Sequence, residues 1–149
     1  MYKFVLACIF GAVSMPAIAE EITYRKHIRP LWMDKCERCH GDQAPYLGDF
    51  QEDEKRYKDD DKGPRMDSYA DLLFFAAWPD SGALMRRLDD GKNTKTGEPG
   101  NMYRRLGRTD EERQTNLKLF KMWLGEDAWT MKRPKEITKE DLLKIKAAY

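Results

Sequence analysis

Residues Cys36-Glu37-Arg38-Cys39-His40 hold the most specific chemistry in the chain. On a helical turn, two cysteines three apart share a face. Their sulfurs can reach the two vinyl groups along one edge of a porphyrin and close thioether bonds. His40, next in line, can bring its imidazole under the ring as the proximal iron ligand. The C-x-x-C-H pattern is therefore read as the attachment site of one haem c, bound covalently through Cys36 and Cys39. The chain has 2 histidines, His27 and His40, so the proximal role has no serious competitor. A thioredoxin-like C-x-x-C needs a βαβ context, and no parallel-strand pattern surrounds this one. A structural zinc site needs four ligands, and no second Cys/His pair exists.

Residues 1–19 read as a signal peptide. Lys3 supplies the positive start, 4–13 is an apolar core too short to span a bilayer, and Ala17-Ile18-Ala19 is an A-x-A cleavage site. Removal of this segment takes Cys8 with it and leaves only the two haem-motif cysteines, with none for a structural disulfide. It also removes Lys3, leaving 26 basic residues against 26 acidic ones. A neutral chain without a basic patch argues against nucleic acid or an anionic membrane as partner. No later apolar run approaches spanning length. The expected product is an exported, periplasmic, soluble protein with a single small domain.

The elements that must position the motif are helical, and strand signals are nearly absent. A first helix is expected over about 24–39, with its regular part starting near Pro30. Residues 41–50 read as a loop broken by Pro45 and Gly48. Residues 51–67 are a charged insert, a solvated excursion interrupted by Gly63-Pro64. Ser68 caps a second helix over 68–77, with Asp71 closing a capping box. A short third element over 81–89 carries Leu84, Met85 and Leu88 as expected core. Residues 91–107 are a glycine-rich loop. Thr109 to Glu112 is a capping box opening the strongest helix, 110–124, which Gly125 stops. Thr138 to Asp141 caps a last short helix. Trp78 and Trp123 are expected in the core, where an indole N–H could also meet a haem propionate.

An electron-transferring haem usually takes a sixth ligand from the opposite face of the ring. Met33 is too close to the motif to wrap around, and Met85 and Met122 sit in helical patterns where methionine normally packs. Met102, in the flexible Gly100-Asn101-Met102 loop before the terminal capping box, is the favoured ligand. Met66 and His27 remain open as alternatives. Arg104 and Arg105, beside that loop, could pair with propionates.

These features resemble a class I cytochrome c, the monohaem bacterial c-type family. Residues 27–36, His-Ile-Arg-Pro-Leu-Trp-Met-Asp-Lys-Cys, match the helix that leads into the haem cysteines. Asn101-Met102-Tyr103, then Thr109-Asp110-Glu111-Glu112, then Trp123-Leu124-Gly125 follow the order of the methionine loop and C-terminal helix. The resemblance spans about 22–125. The usual prolines after the methionine are replaced by Tyr103-Arg104, and 51–67 and the tail 126–149 lie outside the common pattern. It implies an all-α domain at 20–125 around one covalently bound haem, with a charged insert and an extra C-terminal helix. It also implies axial ligation by His40 and Met102, with a backbone carbonyl from Pro45 or a neighbour fixing the His40 ring. The expected function is single-electron transfer between periplasmic redox partners, not catalysis. The alternative is a haem subunit of a larger oxidoreductase docked through 126–149, or a peroxidase-like, ligand-binding haem protein with His27 as its distal base.

Overall fold

The computed structural model describes residues 20–149; the expected signal peptide and Cys8 lie outside the described residues. The fold is all-helical, as expected, with no strand among the described residues. The chain enters through a π-type turn, Tyr24–Ile28, then α1, Arg29–Lys35, and α2, Glu37–His40. The sequence predicts one continuous helix here, and two interruptions replace it. Pro30 has no N–H to donate to the preceding turn, so the wider turn precedes it and it sits at the start of α1. Cys36, at φ −123°, breaks the helix between α1 and α2.

α3, Leu47–Glu52, and α4, Glu54–Asp59, follow. Both correct a loop expectation. Gly48 lies inside α3 with open space around it, so it does not break the helix. α4 is an exposed helix held by Asp53 at its N-cap and by i,i+4 pairs. α5, Tyr69–Ala76, begins at the expected Ser68–Asp71 capping box, and α6, Ala83–Leu88, buries Leu84, Met85 and Leu88. A 3-10 turn, Tyr103–Leu106, leads to α7, Asp110–Leu124. Thr109 accepts from Glu112 N–H, while the Glu112 carboxylate reaches back to Arg108 N–H, one residue beyond the expected box. Gly125, at φ 98°, ends α7 in backbone that favours glycine. α8, Lys139–Leu142, carries the expected Thr138–Asp141 capping box.

The entry helix and α7 run antiparallel in contact, as their amphipathic patterns require. At one end the Tyr24 and Trp123 rings lie 6.2 Å apart; at the other, Lys35 Nζ donates to Glu112 Oε1 at 2.5 Å. Leu117, Phe120, Trp123 and Leu124 of α7 are buried with Ile28, Leu72, Met85 and Leu106. Trp123 serves the core as expected, and its Nε1 donates to Ala148 O. Trp78 does not: it is 70% exposed, because it lies in the turn leaving α5 rather than on its buried face. Met122 is also partly exposed, since the buried stripe of α7 passes through its neighbours.

The tail is part of this domain. Lys146 and Ala147 N–H donate to Leu124 and Trp123 carbonyls, two of the groups a helix C-terminus leaves unpaired. Tyr24 and Arg25 N–H donate to Ala148 and Tyr149 carbonyls. The last residues thus stitch the start of the entry helix to the end of α7.

Candidate functional site

The break at Cys36 shapes the site. α1 delivers Cys36 with its N–H bonded to Trp32 O at 2.8 Å, and the single turn of α2 follows, with Cys39 and His40 N–H both donating to Cys36 O. The two thiols are free and half-buried. Cys36 packs against the apolar core, which suits a porphyrin edge, and that burial pushes its thiol up to about 12.

His40 is held from behind. Its Nδ1 donates to Pro64 O at 2.8 Å in the tautomer that leaves Nε2 free to ligate. Met66 N–H donates to His40 O and Gly63 N–H to Cys39 O. Gly63 lies so close to the ring that a Cβ there would come within 2.2 Å of His40 Cε1. Burial lowers the His40 pKa, favouring the neutral imidazole a metal requires; the Pro64 bond opposes this shift and the charge of Arg87 adds to it. The expected carbonyl at Pro45 is corrected: Pro45 O accepts from Arg65 N–H, and Pro64 holds the histidine. The end of the charged insert is therefore part of the pocket, whereas α4 is solvated. The Gly63-Pro64 pair was the available signal, visible in the sequence only as an interruption.

Trp32 packs beside His40, ring centroids 6.1 Å apart. Its Nε1 is the one buried side-chain polar atom among the described residues without a hydrogen-bond partner. An unmatched indole N–H at the motif fits a pocket wall completed by a group other than protein.

The three proposed sixth ligands occupy different places. Met66 is buried, and its backbone is pinned to His40 O, on the side of the imidazole held by Pro64. His27 Nδ1 accepts from Thr23 N–H, inside the first turn of the entry helix. Met102 is half-buried against the core, and its N–H donates to Arg87 O at 3.0 Å. Arg87 also donates to Asn101 Oδ1, and its charge reaches His40. Gly100 is pressed against the end of α6: a Cβ there would sit 2.3 Å from Arg87 O. Met85 Sδ is engaged elsewhere, accepting from Thr130 N–H. Arg104 and Arg105 are exposed beside Met102.

An all-helical domain with a C-x-x-C-H turn and a carbonyl-fixed histidine defines a c-type cytochrome. The family described as PccH cytochrome c matches residues 23–149, and the chain belongs to it. It is similar to the solved structure of the monohaem cytochrome PccH from Geobacter sulfurreducens, with 48% identity and a TM-score of 0.80 over 87% of this chain and 100% of that one. No curated protein matches the chain. The protein carries one covalently bound haem c. The family match runs through the insert and the tail, so both belong to this family's pattern although they lie outside the general class I pattern.

Proposed function

We propose that this protein is an exported monohaem electron carrier that passes single electrons between periplasmic redox proteins. Cys36 and Cys39 would join haem c, and His40 and Met102 would hold its iron. When bound, the haem supplies a one-electron ferric/ferrous couple. The chain orients His40 through Pro64, sets an apolar wall with Trp32, and offers a soft, neutral thioether that favours the ferrous state. Axial-ligand choice is one lever in a potential span of about 0.8 V.

The observation that carries this reading is the His40 Nδ1 to Pro64 O bond, which fixes the tautomer and ring orientation of a proximal ligand. Met102 is half-buried against the core, with its N–H held by Arg87 O and its neighbour Asn101 held by the Arg87 side chain, which supports it as the sixth ligand. Met66 is buried with its backbone tied to His40 O, on the segment that carries Pro64, which favours packing over ligation for it. His27 lies nine residues before Cys36, a helical rise of roughly 13 Å. That distance also counts against it as a distal base for a peroxidase. No helix among the described residues is long and apolar enough to cross a membrane. The tail packs largely on its own domain, which leaves only part of it, such as the exposed Leu143, to meet an oxidoreductase partner.

The test is the far-red absorption band that thioether ligation gives ferric haem c. Wild type should show it and should bind carbon monoxide poorly when reduced. Met102→Ala should lose the band and bind carbon monoxide. If Met66→Ala loses the band and Met102→Ala keeps it, the ligand assignment fails.

A further inference from the structure

Asp89 is a fully buried carboxylate that the haem chemistry does not use. No cation pairs with it among the described residues. Four neutral donors surround it instead: Gly91 N–H at 2.8 Å, Asn93 N–H at 3.3 Å, Asn93 Nδ2 at 2.8 Å and Trp129 Nε1 at 2.7 Å. A buried anion held only by hydrogen bonds is costly when any donor is removed. Three of these donors come from the outgoing limb of the loop that ends at Met102. The fourth comes from the tail.

Asp89 also holds the returning limb, because Gly100 N–H donates to its carbonyl at 2.8 Å. The loop is therefore pinned at its root on both limbs by one residue, with Met102 N–H fixed two residues earlier, at Arg87 O. The tail grips the same stretch of α6 at two further points. Thr130 N–H donates to Met85 Sδ at 3.3 Å, and Arg86 donates to Lys132 O at 2.5 Å. The Trp129 ring lies under Lys121 of α7, 5.3 Å from its ammonium, so one side chain joins α6, α7 and the loop root.

We infer that residues 129–132 are a brace for the methionine loop, and that Trp129 is a positioning residue for the sixth haem ligand through its bond to Asp89. This rests on Met102 being that ligand. The brace makes the strength of the thioether bond to iron depend on a segment outside the general class I pattern. It acts by keeping the loop root from moving when an external ligand competes for the metal.

The experiment is an imidazole titration of the ferric holoprotein, followed by loss of the far-red band. Trp129→Phe keeps the ring and removes the donor; Arg86→Met removes the grip on Lys132. Each should raise apparent imidazole affinity roughly tenfold, the scale of one lost hydrogen bond to a charged or buried group, while Tyr149→Leu, elsewhere in the tail, should leave it within about twofold. A tail that merely adds stability predicts otherwise: chemical unfolding would shift in all three variants while imidazole affinity stayed with wild type. That result overturns the brace, as does an equal rise in Tyr149→Leu. If Trp129→Phe yields no holoprotein, Arg86→Met decides by the same titration. Failure of the ligand reading looks different, because wild type would then lack the band or Met102→Ala would keep it.

Discussion

Cys36, Cys39 and His40 lie within five consecutive residues and are backed by one short segment, 63–66, that touches the motif at three points. Met102 stands sixty-two residues after His40 on a loop held at its root by α6, by Gln114 of α7 and by Trp129 of the tail. The first region needs little of the fold to be correct, since covalent attachment requires only that two thiols, the histidine beside them and a porphyrin edge meet. The second, on the proposed ligation, needs most of the fold, because it must deliver a neutral atom to a metal with no covalent tie. Attachment should therefore survive damage that ligation does not, and the variants below can break that asymmetry.

The largest effect belongs to the attachment side. The double variant Cys36→Ala, Cys39→Ala should show no covalent haem on a denaturing gel. Gly63→Val should lose most of it as well. Its side chain would occupy space held by His40, and the imidazole cannot retreat without leaving Pro64 O. Normal haem yield in Gly63→Val would show that segment 63–66 is not a support for the ring.

Gly100→Ala should separate the two regions. Its methyl meets the Arg87 and Arg86 carbonyls, backbone atoms that cannot turn aside. Overpacking of this kind costs about 1–3 kcal/mol. The loop can relieve it by moving Gly100 off Asp89 O and, with it, Met102 off Arg87 O. Covalent haem should be retained in full, while the far-red band falls and carbon monoxide binds the reduced protein. Loss of the haem itself would mean that the loop also governs attachment.

The same asymmetry decides what the sequence reveals. Cys36, Cys39 and His40 are legible because their chemistry is written in adjacent residues. So are the caps at Ser68, Thr109 and Thr138, which use residues three apart and need no tertiary information. Pro64 and Gly63 are not legible as supports, because their role depends on where a charged excursion returns. Pro45 is the nearer guess, yet the chain gives it Arg65 instead. Trp78 misleads because size argues for burial, while the turn after α5 places it outside. The tail reads as an appendage since only folding shows that Trp129 meets a carboxylate forty residues earlier.

Acid should strike the loop in a defined window. Burial raises the Asp90 pKa, but bonds from Lys92 Nζ, Gln114 Nε2 and the Lys92 backbone more than offset it and hold the carboxyl at about 2. A depressed value means that this contribution is complete well above the ordinary 3.8 and fades as pH falls toward 2. Gln114 Nε2 also donates to Tyr103 OH, so the link fastens the residue after Met102 to α7. The wild-type far-red band should hold down to about pH 4 and weaken below it. Asp90→Asn should start weaker at neutral pH, by roughly 1–2 kcal/mol against a competing ligand, and lose part of the acid dependence. Asp67, also lowered, by its bond to Arg65, lies beside the attachment side and should leave the remaining acid dependence intact.

The smallest effect is expected in the insert itself, which divides into two parts with different roles. Residues 63–66 touch the motif, while α4 carries the pairs Lys55–Asp59 and Lys58–Glu54, whose side chains are at least half exposed. Exposed i,i+4 pairs contribute about 0.3–0.5 kcal/mol each, and their fields are screened beyond roughly 8–10 Å at moderate salt. The double variant Lys55→Ala, Lys58→Ala should therefore change unfolding stability by less than about 1 kcal/mol, leaving haem yield and the band as in wild type. Its potential, measured at moderate ionic strength, should also match. A clear shift in potential would place α4 within electrostatic reach of the haem and extend the pocket from 63–66 across the rest of the insert.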